Sequence, residues 1–368
     1  MKVVCLQENL KNSLGFVQGI VGHHLTLPIL NNVLLQADKT NLQIVATNLE
    51  MAMVIDLVAK VETNGSLTVP ARLMVNLISS LKEKRITLES RPNNNLFIKT
   101  QNYQANLRGL VSKDFPLVPK VDRQYSFKVA AAAFKIGLAS VINSVALTET
   151  RPEISGVLFV VSQNELKIVS TDSFRLAEKR VKIEGRVNAE FSQVIIPAKT
   201  IQELIKVLSV TEKEVEVVVS ESQILFNCHN VKLISRLIEG AYPDYQAIIP
   251  NDFQTQVVLD KKEFLEMVKV ASLFSSKIND ITVMVDPEKS QVEISAQNID
   301  VGENQVNLNA EISGQAVKVV CNYRYLLEGL SNILSPRVFL GFNGSAQAFV
   351  MKPIQQKSYL YLIMPLNQ

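Results

Sequence analysis

The chain has 368 residues, 47% hydrophobic and 20% charged, with 38 Lys+Arg against 35 Asp+Glu for a formal net charge of +3. That composition excludes a disordered chain, and the length calls for two or three domains rather than one core. The near-balanced charge excludes a protein basic over its whole surface, so any polyanion must meet basic residues gathered on one face.

In chain order, Met1-Lys2-Val3-Val4-Cys5-Leu6-Gln7-Glu8-Asn9 is broken by charge and amide before an apolar signal region can form. No apolar run reaches the roughly 18–20 residues that span a bilayer, so the expectation is a cytoplasmic protein without membrane association. A helix-like pattern covers residues 6–21, and an alternating strand follows at Leu42-Gln43-Ile44-Val45-Ala46-Thr47-Asn48. Val69-Pro70-Ala71-Arg72 then opens a second helix with Leu73, Leu77, Ile78 and Leu81. Proline is tolerated there because the first amides of a helix have no intrahelical partner. The same order returns twice. Residues 130–145 and 261–274 are helix-like, Leu166-Lys167-Ile168-Val169-Ser170-Thr171-Asp172 and Val292-Glu293-Ile294-Ser295-Ala296-Gln297-Asn298 alternate as strands, and Ile196-Pro197-Ala198-Lys199 and Val320-Cys321-Asn322-Tyr323 open amphipathic helices. Thr171 follows Thr47 by 124 positions (171 − 47) and Gln297 follows Thr171 by 126 (297 − 171). Three features in one order at one offset predict three copies of one α+β domain, residues 1–121, 122–250 and 251–368, with breaks where proline, aspartate and amides interrupt the apolar periodicity near 119–124 and 250–254.

Catalytic signatures are missing. There is no Gly-x-x-x-x-Gly-Lys-Ser/Thr phosphate loop and no Gly-x-Ser-x-Gly elbow. Cys5, Cys228 and Cys321 are sparse, odd in number and outside any Cys-x-x-Cys pair, which fits a reducing compartment and neither a disulfide scaffold nor a zinc site. His23 and His24 diverge on an extended segment, and His229 reads as a strand residue beside Cys228 rather than half of a dyad. Glu212, Glu214 and Glu216 read as surface charges. No catalytic residue, metal or cofactor is expected. Tryptophan is absent and aromatics are 6%, so single-strand binding by base stacking is not signalled, whereas duplex DNA remains open.

Thr26-Leu27-Pro28-Ile29-Leu30, Thr47-Asn48-Leu49-Glu50, Val69-Pro70-Ala71-Arg72, Asp114-Phe115-Pro116, Thr171-Asp172-Ser173-Phe174-Arg175-Leu176, Tyr242-Pro243-Asp244-Tyr245 and Met364-Pro365 together resemble the bacterial DNA polymerase III beta subunit family, the sliding clamps, from end to end. The resemblance implies a DNA clamp fold of three repeated domains. It further implies a head-to-tail homodimeric ring, with helices lining the hole and sheets outside. The function it implies is that of a processivity factor around duplex DNA, without sequence specificity. Expected partners are the replicative DNA polymerase alpha subunit, the clamp loader complex and other proteins carrying clamp-binding peptide motifs. Carried over position by position, the peptide groove is Ile154, Thr171, Ser173, Phe174, Arg175, Leu176, Pro243, Ile248, Asn322, Tyr325, Ala346, Ile363, Met364, Pro365 and Leu366. Basic candidates for the DNA-facing surface, on the two helices of each repeat, are Lys11, Arg72, Lys82, Lys135, Lys199, Lys206, Lys262, Lys269 and Arg324, with His24 at a loop position where a basic DNA contact is common in relatives. The dimer contact implied is Leu107 against Ser272 and Leu273. Phe174 stands where the family often has His or Tyr before Arg-Leu, and the Asn367-Gln368 ending stands where relatives often have a basic residue and Leu; both departures touch the peptide groove. A non-encircling peptide-binding scaffold and a three-domain enzyme are the competing readings; lysines on repeated helices and the lack of an acid–base cluster weigh against them.

Overall fold

The computed structural model describes residues 1–22, 26–148, 150–162, 164–185, 193–354 and 358–366; His23 and His24 lie outside the described residues. Its helices among these are α1 (Gln7–Val17), α2 (Ala71–Ser80), α3 (Ala131–Val141), α4 (Ala198–Leu208), α5 (Lys261–Ser272) and α6 (Tyr323–Ser331), two per sequence repeat. Each buries residues three or four apart: Leu10, Leu14 and Val17 on α1, Met74, Val75 and Ile78 on α2, Leu326 and Leu330 on α6.

Helix ends depart from the sequence pattern. α1 begins after Leu6, which closes the strand Lys2–Leu6, and stops at Val17 although Ile20 and Val21 stay buried. There the chain turns back, the amides of Ile20 and Val21 donating to the Val17 carbonyl at 3.1 and 3.2 Å, so burial outlasts the helix. α3 likewise gives way to a short 3₁₀ turn, Ile142–Ser144, and α5 closes at Ser272. α2 ends at Ser80, where the Gln7 side-chain amide donates to the carbonyls of Ile78 (2.7 Å) and Leu81 (3.0 Å). Lys82 therefore sits in the following loop and not on the helix. At the other end, Asp260 caps α5 through the Glu263 amide (2.9 Å) and Asn322 caps α6 through the Arg324 amide (2.9 Å).

The strands form two compact units. One unit comprises Met1–Lys135, Ile183–Phe191 and Lys199–Leu237. It holds an eight-stranded sheet, ordered Tyr125–Ala130, Glu214–Val219, Gln223–Cys228, Val231–Arg236, Met51–Val58, Asn41–Thr47, Asn32–Asp38, Gly65–Pro70. It also holds a five-stranded sheet that ends on Gln104–Arg108. The other comprises Ile136–Lys182, Ser192–Ala198 and Ile238–Gln368. Its nine-stranded sheet runs through Glu165–Thr171, Arg175–Lys182, Tyr359–Ile363 and Phe349–Pro353, and its four-stranded sheet begins on Gly302–Asn309.

Every named strand pairing is antiparallel, in keeping with an α+β chain that lacks βαβ units. The division cuts through the middle repeat, whose strands belong partly to the eight-stranded and partly to the nine-stranded sheet. Sheet hydrogen bonds cross the repeat boundaries: Met51–Val58 pairs with Val231–Arg236 (Met51 opposite Ser235), and Arg175–Lys182 pairs with Tyr359–Ile363 (Arg175 opposite Ile363).

α6 seats on the nine-stranded sheet through Gly329, where a Cβ would lie 2.6 Å from the Tyr361 ring and against the Met351 methyl. Gly15 on α1, in contrast, has open space. Gly329→Val is expected to destabilise the fold by about 1–3 kcal/mol through overpacking. Gly15→Ala should stabilise by about 0.5–1 kcal/mol by removing glycine's chain entropy. Denaturant melts of the two variants check both signs.

Candidate functional site

The second unit carries the turn between Glu165–Thr171 and Arg175–Lys182. Asp172 Oδ1 accepts from the amides of Phe174 (3.0 Å) and Arg175 (2.9 Å), and the Thr171 hydroxyl donates to the Arg175 carbonyl (2.7 Å). This is an Asx turn, the geometry that aspartate and asparagine impose when their side chains mimic a backbone carbonyl. It holds Ser173 at φ 75° and turns Phe174 outward, 59% exposed. The first repeat builds the same turn at Thr47–Met51, with Asn48 Oδ1 accepting from Glu50 (3.1 Å) and Met51 (2.8 Å) and Leu49 at φ 76°. In the third, Asn298 Oδ1 accepts from the Asp300 amide (2.9 Å). The Thr-Asn and Thr-Asp pairs of the sequence repeat are thus two copies of one turn device, and the Gln-Asn pair keeps its first hydrogen bond.

The tail of the chain docks on this turn: the Met364 amide donates to the Phe174 carbonyl (2.8 Å) and the Leu366 amide to the Val320 carbonyl (2.8 Å). Ile154, Leu158, Val169, Leu176, Val350 and Leu362 form a buried apolar floor with Tyr242 and Tyr245, whose rings meet edge to face at 6.5 Å. Of the predicted groove residues, Ile154, Leu176 and Ile363 are buried in this unit and Thr171 is 7% exposed. Phe174, Ile248 and Met364 are the exposed apolar side chains among them. Ser173 and Ala346 are exposed, while Pro243, Asn322, Tyr325, Pro365 and Leu366 are half-buried. Ile248 and Ala346 do not join the apolar floor, whereas Ile249 and Ala348 pack against it. Asn322 spends its side-chain oxygen on the α6 cap.

Arg175, expected to offer polar fixing to a ligand, is mostly committed internally. Its Nε donates to Asp172 Oδ2 (3.0 Å), its two Nη groups donate to Glu328 and to the Asn143 carbonyl, and its guanidinium stacks 4.4 Å over the Tyr325 ring. Burial alone would lower its pKa, but Tyr361, Glu328 and Asp172 outweigh that and hold it above the ordinary arginine value. Burial pushes the Tyr361 hydroxyl up to about 12, with Arg175 pulling the other way. Asp172, Glu328, Tyr361 and Asn143 are thus parts of the site that sequence reasoning missed. Only Asp172, inside the Thr-Asp motif, carried a local signal.

The basic candidates occupy solvated positions. Lys11, Arg72, Lys82, Lys199, Lys206, Lys262, Lys269 and Arg324 are exposed, Lys135 is half-buried, and His24 lies outside the described residues. Lys199 and Lys206 both pair with Glu203. Leu273 is 71% exposed, Ser272 half-buried, and Leu107 only 4% exposed, so Leu107 offers its strand edge rather than its side chain.

Among the described residues, the acidic groups, His229 and the cysteines singled out in the sequence do not converge on one site. Glu214 and Glu216 pair with Lys128 and Arg123. His229 occupies the left-handed turn between Gln223–Cys228 and Val231–Arg236 (φ 59°) and is not a strand residue as the alternation predicts. Burial pushes the Cys5, Cys228 and Cys321 thiols up to about 12, far from thiolate reactivity. No group of three or more His, Cys, Asp or Glu able to hold a metal occurs among the described residues.

Antiparallel sheets continued across repeats, two helices per repeat and a recurring Asx turn define a three-domain clamp fold. Family models for the DNA polymerase III beta subunit match at residues 1–119 (N-terminal domain), 128–244 (central domain) and 246–367 (C-terminal domain). The chain belongs to the DNA polymerase III beta subunit family. It is 28% identical over 351 residues to the beta sliding clamp of Staphylococcus aureus, covering 93% of each chain. Against that of Staphylococcus epidermidis it is 27% identical over 365 residues, covering 97% of this chain and 96% of the other. Among solved structures it is similar to the DNA polymerase sliding clamp of Bacillus subtilis (TM-score 0.95, 25% identity, 100% and 99% of the chains). It is likewise similar to the DNA polymerase III subunit beta of Pseudomonas aeruginosa bound to griselimycin (TM-score 0.95, 26% identity, 100% of both).

Removing the Arg175 fork strands Asp172 and Glu328. Arg175→Ala is expected to cost about 1–3 kcal/mol, toward the lower end because Glu328 is one-third exposed. Arg175→Lys should not restore it, since an ammonium cannot fork between the same acceptors. Thermal melts of both variants check this.

Proposed function

We propose that this chain forms a head-to-tail homodimeric ring that encircles duplex DNA and tethers a replicative polymerase to it, with domains bounded near residues 121 and 250. The carrying observation is a pairing used twice within the chain and left open once. Gln104–Arg108, Val231–Arg236 and Tyr359–Ile363 are repeat-equivalent, offset by 127 (231 − 104) and 128 (359 − 231). Met51–Val58, Arg175–Lys182 and Gly302–Asn309 are also equivalent, offset by 124 (175 − 51) and 127 (302 − 175). Two of the three combinations are hydrogen-bonded inside the chain. The remaining two strands, Gln104–Arg108 and Gly302–Asn309, are each a sheet edge. An open edge of this length invites pairing with another chain, and a second copy supplies the matching one. Exposed Leu273, Ile278, Ile299 and Val301 in the unit of the Gly302–Asn309 edge favour burial there. Such a contact is heterologous and closes into a ring when the rotation permits.

A closed ring stays on DNA by connectivity, so its phosphate contacts can be weak and without sequence preference, which permits sliding. Lys11, Arg72, Lys82, Lys135, Lys199, Lys206, Lys262, Lys269 and Arg324 supply such contacts in this reading. The exposed Phe174, Ile248 and Met364 beside an apolar floor suit an extended peptide with apolar anchors, offered by the polymerase alpha subunit, the clamp loader or other motif-bearing partners. No catalytic step, metal or cofactor enters. The family and the solved relatives favour this reading over a non-encircling scaffold or an enzyme.

The test is topological. Loaded on nicked circular duplex by a clamp loader, the wild-type protein should co-elute with DNA and be lost when the circle is linearised, whereas Leu273→Asp should sediment as a monomer and never be retained. Loss from intact circles at the same rate as from linear DNA would overturn the ring. Met364→Asp should leave the dimer mass unchanged and weaken a polymerase-derived peptide at least tenfold, about 1.4 kcal/mol, by isothermal titration.

A further inference from the structure

Glu203 stands on α4 with 1% of its side chain exposed. Its carboxylate faces two ammonium groups of the same helix: Lys206 Nζ lies 2.9 Å from Oε1 and 3.0 Å from Oε2, and Lys199 Nζ lies 3.4 Å from Oε1. Both lysines reach solvent, their side chains 56% and 58% exposed. On its other side the carboxylate rests against Gly19, where any Cβ would fall on the carboxylate itself. Among the described residues, none of the other basic candidates for the DNA-facing surface has a carboxylate within ion-pair distance; α4 alone carries such a group beneath its lysines.

We propose that Glu203 is a positioning residue that makes Lys199 and Lys206 act as one positive charge toward DNA rather than two. This rests on the reading of α4 as DNA-facing. A carboxylate sealed from water is strongly disfavoured once unpaired. One ammonium must therefore remain on Glu203 at every moment, and only the other is free to meet a phosphate. The pair can exchange roles, Lys199 taking the carboxylate when Lys206 reaches out. The charge presented to the duplex is then +1, and the contact passes from phosphate to phosphate without a second anchor. Gly19 is the residue that leaves room for this seat.

The experiment measures the salt dependence of duplex binding by the intact dimer. Per protomer of the dimer, independent lysines would each contribute about 0.9 to the slope of log affinity against log salt, so each change is doubled for the whole ring. With a shared carboxylate, Lys199→Ala or Lys206→Ala alone should each lower the wild-type slope by about 0.9, because the surviving lysine is then held on Glu203. Glu203→Gln, which keeps size and hydrogen bonding, should raise the slope by about 0.9 and slow diffusion along DNA. In the Gln background the double lysine variant should lower it by about 1.8. The lysine side-chain signals supply a second readout that needs no DNA: the Lys206 Nζ protons should exchange more slowly with solvent in the wild type than in Glu203→Gln. A wild-type slope in a folded Glu203→Gln dimer, with a double lysine variant that still lowers it, overturns the role of Glu203 and leaves the DNA-facing reading standing. No slope change from the lysine variants in either background overturns the DNA-facing reading of α4, and this inference with it.

Discussion

Main-chain hydrogen bonding across the repeat boundary is the constraint on which the remaining architecture depends. A strand at the end of one repeat adds to a strand in the middle of its predecessor, and an eight-stranded and a nine-stranded sheet result. These continuous ladders are why the compact units do not coincide with the sequence repeats: the middle repeat contributes strands to both sheets, and backbone pairing outweighs repeat identity. The device consumes edges that would otherwise template aggregation. It leaves Gln104–Arg108 and Gly302–Asn309 as sheet edges among the described residues.

The Asx turn sits at the entrance of each pairing strand, and its form follows from that position. Leu49 and Ser173 adopt left-handed backbone at φ 76° and 75° without being glycine, a conformation that costs of order 1–3 kcal/mol and persists only when its surroundings over-determine it. Here Asn48 and Asp172 hold two amides each, and the carbonyls that follow are spent on the neighbouring repeat: Glu50 accepts from the Arg236 amide (2.9 Å), Phe174 from Met364. The turn that locks the sheet junction is therefore also the turn that projects Phe174 into solvent. Architecture and candidate groove share one set of hydrogen bonds, and a change in Asp172 cannot touch one without the other.

Periodic features were legible in the sequence and non-local ones were not. The triple repeat, the helix starts after Val69-Pro70 and Ile196-Pro197 and the strand alternation around Thr47 and Thr171 follow from local propensity and burial, and α2 and α4 begin at Ala71 and Ala198. Helix ends were less legible because buried Ile20 and Val21 continue the apolar pattern beyond the helix. Arg175 reads as a ligand-facing residue in a short motif, yet its partners Glu328 and Tyr361 lie 153 and 186 positions away, beyond any periodicity. The family resemblance makes Leu107 an interface side chain, but strand alternation turns it inward. The same limit hid Glu203: in sequence it is one more charge on an amphipathic helix, and only its burial against Gly19 distinguishes it.

Electrostatics close the argument. A protein that must be retained by binding alone needs many simultaneous phosphate contacts, and each further contact steepens its salt dependence and slows its motion. A net charge of +3 does not supply that over the whole surface, and a ring does not require it. Where two lysines on one helix would strengthen the contact, a buried carboxylate takes one of them back. In the proposed ring, retention would reside in the hydrogen-bonded strand edges that close it and selectivity in the apolar rim around Phe174 and Met364, leaving the basic helices only the task of keeping the duplex centred.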